Sequence, residues 1–175
     1  MKKVCYAVAA SLDGYIAGPK GEADWIVMDP EIDFGALFTR FDTLLIGRRT
    51  FVAMEENGQG AMPGMKTFVF SSTLQQQEHP KVTIVGDNVE QTVAALRTRK
   101  NGKDIWLFGG GSLFRSLLAA GLVDTVEVSV IPILLGGGVP LLAPTAPRTQ
   151  LSLTNHRIYR KTGIVSMEYK IERSA

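Results

Sequence analysis

A chain of 175 residues with 45% hydrophobic and 21% charged residues has the composition of one ordinary globular domain, spanning residues 1–175, and not of a disordered or fibrous chain. The formal net charge of +2 and the scattering of basic residues, with only Arg157, Arg160 and Lys161 close together, argue against a nucleic-acid partner. One cysteine excludes an intrachain disulfide, and with two histidines it cannot assemble a zinc site; no metal is expected, and the compartment reads as cytoplasmic.

The N-terminus sets two lysines before the apolar stretch 4–10, which is short for a secretion leader and reads as a buried strand. No later apolar run approaches the length of a bilayer span, so no membrane contact is expected. Further short apolar runs predict strands over 43–47, 66–70, 82–85 and 104–108, with helical periodicity between them. The first helix is predicted to open at Asp29-Pro30-Glu31, with Asp29 as cap and Pro30 in the first turn, and to end before Asp42. A second helix starts after Gly47. A third covers 88–99, with Asn88 as cap and Val89, Val93 and Leu96 on one face, and Asn101-Gly102 stops it. A fourth opens at Gly110-Gly111, turns Leu113, Phe114, Leu117 and Leu118 inward, and ends at Gly121. The stretches 125–135, 149–159 and 164–171 then follow as strands without helices between them, which predicts antiparallel pairing at the end of the chain. The fold class is α/β: a mixed sheet, mostly parallel with antiparallel C-terminal strands, and helices on both faces.

Three strand ends carry groups suited to an anion. Gly109-Gly110-Gly111-Ser112 lies where a strand passes into a helix, and glycines there let backbone N–H groups approach a phosphate, although a tight turn without ligand also explains them. Gly47-Arg48-Arg49-Thr50 places two guanidinium groups in a helical first turn, against the dipole, which suits a bound anion or two solvated arginines. Ser71-Ser72 ends a third strand with hydroxyls that either turn the chain or bind phosphate. All three fall at the C-terminal edge of the sheet, where open α/β sheets bind ligands.

With Ser11-Leu12-Asp13-Gly14-Tyr15-Ile16-Ala17 after the first strand, these motifs and the late stretch 120–138 carry a resemblance that covers nearly the whole chain. The sequence resembles the dihydrofolate reductase superfamily, and most of all the reductase domain of the bifunctional riboflavin-pathway deaminase/reductase and its stand-alone bacterial relatives. That resemblance implies a dihydrofolate reductase-like sheet and NADPH as cofactor. Ala9, Ile16 and Ala17 would line the nicotinamide; Gly47 to Thr50 and Gly109, Gly110, Gly111, Ser112, Leu113 and Phe114 would hold the pyrophosphate. Arg48, Arg49, Ser71 and Ser72 would meet the adenosine end and its 2′-phosphate. It implies further a cis peptide at Gly109–Gly110 and a homodimer through the late strands.

The implied reaction is reduction of a C=N or C=O group on a small heterocyclic or ribosylamino substrate, most like that of 5-amino-6-(5-phosphoribosylamino)uracil reductase. Phe108 stands where riboflavin-pathway reductases carry an acid, and the zinc-deaminase signature has no counterpart here. The alternatives are a dihydrofolate or pterin reductase and a non-catalytic nucleotide-binding protein. Asp33 is the catalytic candidate, expected to be partly buried with a raised pKa, or else a solvated acid in the first turn of a helix. Trp25, Met28 and Phe34 join it as candidate substrate contacts in and beside the loop before the first helix, where Trp25 and Met28 suit a lid or the core. His79 and His156 read as surface residues, Cys5 as a packed thiol, and Gly136 to Gly138 as a bend.

Overall fold

The structure, a computed structural model, describes residues 1–173. Its elements are β1 (Val4–Ser11), β2 (Tyr15–Ala17), α1 (Phe34–Arg40), β3 (Phe41–Gly47), α2 (Arg48–Glu56), β4 (Lys66–Phe70), β5 (Thr83–Val85), α3 (Val89–Thr98), β6 (Asp104–Gly109), α4 (Gly111–Ala119), β7 (Thr125–Ile131), β8 (Val139–Pro140), β9 (Leu151–Tyr159) and β10 (Ile164–Ile171). Eight strands form one sheet in the order β5-β4-β3-β6-β1-β7-β10-β9, and β2 pairs with β8 in a short separate ribbon. The six strands from β5 to β7 are parallel, while β10 runs antiparallel to both β7 and β9.

The apolar runs are strands because both sheet faces are covered, and the two-residue period divides their side chains between two cores. Val4 and Tyr6 of β1 point to one face, against Val93 and Leu96 of α3 and Leu113, Phe114 and Leu117 of α4. Tyr6 stacks on Phe114 with ring centroids 3.8 Å apart. Cys5 and Ala7 point to the other face, among Phe41, Phe51, Met54 and Trp106. A third cluster of Ile131, Tyr159 and Ile164 gathers Ala9, Trp25, Ile26 and Ile32. Among the described residues, no helix is long and apolar enough to cross a membrane, and no group of three or more His, Cys, Asp and Glu could hold a metal.

Several predicted boundaries move, each for a local reason. The first helix starts at Phe34 and not at Pro30, because Asp29 is buried and its carboxylate is spent elsewhere, accepting from Glu31 N at 2.9 Å and Thr162 Oγ1 at 2.7 Å. Asp33 is the cap instead, its Oδ1 accepting from Ala36 N at 2.9 Å. Asn88 holds the cap position of α3 in a left-handed conformation, φ 59°, and contributes its carbonyl to Thr92 N without a side-chain cap bond. The strand predicted over 125–135 ends at Ile131, since Pro132 has no N–H to give the ladder. His79 is half-buried and not a solvated surface residue: its Nδ1 lies 3.0 Å from Glu55 Oε1, and its ring meets Phe51 edge-on.

Candidate active site

Strands β1 and β6 pair only through Val4, Cys5 and Tyr6, after which they part; β6 stays with β3 to Gly109 and β1 stays with β7 to Ser11. The result is a gap at the C-terminal edge of the sheet. Ile105 N donates to Lys3 O, so the odd residues of β1 direct their N–H and C=O toward β6. Beyond Tyr6 those groups lose their ladder partner. The Ala7 carbonyl is recovered by the buried Trp106 indole, Nε1 to O 2.9 Å. The N–H and C=O of Ala9 are left facing the gap, a donor and an acceptor side by side.

On the far side of the gap two helix starts meet. The Gly109–Gly110 peptide is cis, as the resemblance implied. A Cβ on Gly109 would lie 3.2 Å from Thr50 Oγ1, and one on Gly47 would lie 3.6 Å from Gly110 N, so the two glycine turns are in contact. Neither α2 nor α4 has a side-chain N-cap bond or an acid in its first turn. Their first N–H groups and dipoles therefore face outward without a counter-charge, an arrangement suited to phosphate. Arg48 and Arg49 are exposed beside them and make no salt bridge among the described residues. The roof over α4 is fixed by Tyr6 Oη donating to Leu141 O at 2.8 Å, and a Cβ on Gly111 would run into the Pro140 carbonyl. The β2–β8 ribbon brings Ile16 and Ala17 to this roof, and Asp13 clamps it by accepting from Ser11 Oγ, Leu135 N and Gly136 N. Those hydrogen bonds, the Ser11 bond foremost, hold the Asp13 carboxyl below the usual carboxylate range.

A model for the RibD C-terminal domain matches residues 2–165. The chain belongs to the RibD C-terminal domain family. It is 32% identical over 180 residues to the YyaP protein of Bacillus subtilis (strain 168), covering 96% of this chain and 94% of that one. A crystal structure of a putative riboflavin biosynthesis protein from Shewanella sp. PV-4 superposes with a TM-score of 0.80 at 28% identity, over 99% of this chain and 100% of that chain. Dihydrofolate reductase from Enterococcus faecalis, complexed with NADP(H), superposes with a TM-score of 0.72 at 20% identity, over 98% and 97%, and so shares the fold. These likenesses support a reductase of the RibD C-terminal domain family.

In this RibD C-terminal domain, Ala9, Ile16, Ala17, Gly47 to Thr50 and Gly109 to Phe114 all converge on the gap and its roof. Leu113 and Phe114 are buried and support α4 from within, while Ser112 is exposed. Ser71 is committed to the turn, its Oγ accepting from Thr73 N at 3.2 Å and Leu74 N at 3.1 Å, whereas Ser72 is exposed at the edge. Asp33 does not meet its expectation of partial burial: it is exposed, because capping α1 holds it at the helix start. Trp25 packs with Ala9 around the third cluster, Phe34 is half-buried, and Met28 stands 62% exposed at the rim.

Beside α1 lies the strip of sheet termed the slot, which carries two small residues, Ala7 buried and Ala9 half-buried. Aromatic rings line one side, with Trp106 touching Phe41 at 5.5 Å, Phe108 at 5.2 Å and Phe38 at 6.2 Å between centroids. The other side is polar. Glu127, opposite Ala7 on β7, accepts from Arg40 through both oxygens (2.6 and 3.0 Å) and from the Cys5 thiol at 3.1 Å. Glu168 is its cross-strand neighbour on β10 and accepts from Asn155 Nδ2 at 3.2 Å; Ser129 and Ser166 share a bond of 2.7 Å one step along. Sequence reasoning passed over Arg40, Glu127 and Glu168. The alternation Val126-Glu127-Val128-Ser129-Val130 did mark one polar face of β7, but Arg40 lies far away in sequence.

Proposed function

We propose that this domain binds NADPH across the gap between β1 and β6 and reduces a C=N or C=O carbon of a small heterocyclic or ribosylamino substrate held in the slot beside α1. The observation that carries this reading is the meeting of two helix starts, without side-chain caps or first-turn acids, over a glycine-lined opening, beside two arginines that have no carboxylate partner among the described residues. Bound there, the cofactor would supply a hydride and its electron pair. The chain's own groups orient both reactants. The Ala9 N–H and C=O match the carbonyl and amino group of a carboxamide, the first turns of α2 and α4 take the pyrophosphate, and Arg48 and Arg49 with Ser72 take the 2′-phosphate. Asp33 caps α1 through Oδ1, has no partner for Oδ2 among the described residues, and orients the substrate from the outer end of α1. Trp25 and Phe34 exclude water on that side, with Met28 at the rim. The exposure of Asp33 favours a riboflavin-type over a folate-type substrate, since a pterin anchor works best out of water.

The test is titration of the chain with NADPH and, separately, NADH, following quenching of Trp25 and Trp106. Tighter NADPH binding supports the reading; absence of binding by either nucleotide rejects it, and with it the non-catalytic nucleotide-binding alternative. The domain acts as a cytoplasmic homodimer in this reading. Leu153 and Ile158 of β9, in register with Tyr169 and Val165 on the face of Val126 and Val130, are 55% and 60% exposed, and a second copy would cover them. Light scattering at twice 19.0 kDa supports the dimer, and 19.0 kDa overturns it.

A further inference from the structure

We infer that Arg40 is a substrate-binding residue, held in place by Glu127, and that with Glu168 it reads the acceptor–donor edge of a cyclic amide lying flat in the slot. The inference deepens the reductase reading and rests on it for the slot's purpose.

Arg40 ends α1, and its guanidinium reaches across β1 at Cys5 to Glu127, the register partner of Ala7, just past the last β1–β6 pair. The two bonds to Glu127 use two of its five N–H donors; the other three have no acceptor among the described residues. The Arg40 side chain is 45% exposed while that of Glu127 is 15% exposed, so the pair is anchored from below and open above. A bidentate carboxylate contact and the Phe41 ring, 5.0 Å from the guanidinium carbon, fix the plane of the fork. Such a fork is aimed before any ligand arrives.

The surroundings define what it would take. Glu168 stands directly across from Glu127 on β10, and among the described residues only one of its carboxylate oxygens has a side-chain partner, Asn155 Nδ2. Two carboxylates and one guanidinium leave this corner acidic, which disfavours an anionic group and suits a neutral edge offering C=O to Arg40 and N–H to Glu168. On the same helix Phe38, 44% exposed and backed by the buried Trp106 at 6.2 Å between centroids, offers an apolar ring to a planar ligand. Capping Asp33 is at the other end of α1 and cannot serve this corner.

The test uses uracil as probe, titrated calorimetrically into the NADPH-saturated chain, with Arg40→Lys, Arg40→Ala and Glu127→Gln beside the parent. Arg40→Ala should weaken uracil about tenfold or more, the scale of a lost charged hydrogen bond. Arg40→Lys keeps the ion pair and the fold but not the planar fork, and should still lose several-fold. Glu127→Gln should release the fork and also weaken uracil. Tryptophan quenching by NADPH should be unchanged in Arg40→Lys, which a merely structural Arg40 would not combine with lost uracil binding. Equal uracil affinity in Arg40→Lys and the parent overturns the assignment, as does a parent that binds NADPH but not uracil. A parent that fails to bind NADPH rejects the reductase reading instead, and uracil titration of the nucleotide-free series then decides Arg40 on its own.

Discussion

The two sides of the cleft are built on opposite plans. On the β3–β6 side the polar groups facing the opening are backbone N–H groups at helix starts, bared by glycines and flanked by Arg48 and Arg49, which are exposed. On the β7–β10 side they are side chains from distant parts of the chain, already bonded to one another: Cys5 and Arg40 to Glu127, Asn155 to Glu168, Ser129 to Ser166. The first side leaves its helix starts without side-chain caps; the second is bonded within the protein and offers only its spare valences. The difference teaches that a common anionic group can be bound by main chain, whereas selection of one substrate needs side chains locked in position.

Gly111→Ala should break the glycine side most severely. The added Cβ meets the Pro140 carbonyl, a backbone atom with no room to yield, so overpacking should cost roughly 1–3 kcal/mol and displace the roof over α4. Loss of NADPH binding with a lowered melting temperature is the expected result, and unaltered binding would show the roof to be dispensable. Arg48→Ala should cost NADPH about tenfold in affinity, the scale of a charged hydrogen bond, and leave NADH nearly unaffected. Equal losses for both nucleotides in the same titration would remove Arg48 from the 2′-phosphate.

Asp33 tests where the two plans join. Asn caps as well as Asp, so Asp33→Asn should keep stability within a few tenths of a kcal/mol while Asp33→Ala loses about 1 kcal/mol in denaturant melts. With substrate in hand, Asp33→Asn should lower turnover at unchanged NADPH affinity; undiminished turnover would leave Asp33 as a helix cap alone.

A smaller effect concerns pH. The folded-state pKa of Asp13 is depressed, so its clamp contributes stability that is present above the ordinary carboxylate range and is lost as pH falls through the depressed value. Asp13→Asn should therefore show a shallower fall of melting temperature on the acid side, and parallel curves for the two proteins would show the clamp to be idle. Smallest of all, Cys5 should resist thiol reagents in the native chain at pH 8. Burial first, and Glu127 next, push its thiol well above the usual range, so rapid native-state labelling would show that side of the slot to be open.

The parallel half of this molecule was legible in the sequence, and the reason is local. Glycine runs, capping residues and short apolar stretches act over a few neighbours, so the strand ends at Gly47 and Gly109 and the helices that follow could be placed from their own residues. The helix before β3 was misplaced because Asp29 reads as a cap locally and is claimed by Thr162 from the β9–β10 turn. Nothing near Asp29 in the chain reports that competitor.

The same limit separates the two sides of the cleft. Residue order alone determined an α/β sheet with glycine turns at its strand ends and an antiparallel finish, because period, capping and backbone freedom are properties of neighbouring residues. Only the tertiary structure decided that β1 and β6 would part after Tyr6, that Asp33 would be spent on a cap, and that Arg40 would find Glu127 across β1. Those outcomes depend on strand register and on which side chains meet across the sheet, and long-range pairing of that kind is settled by packing.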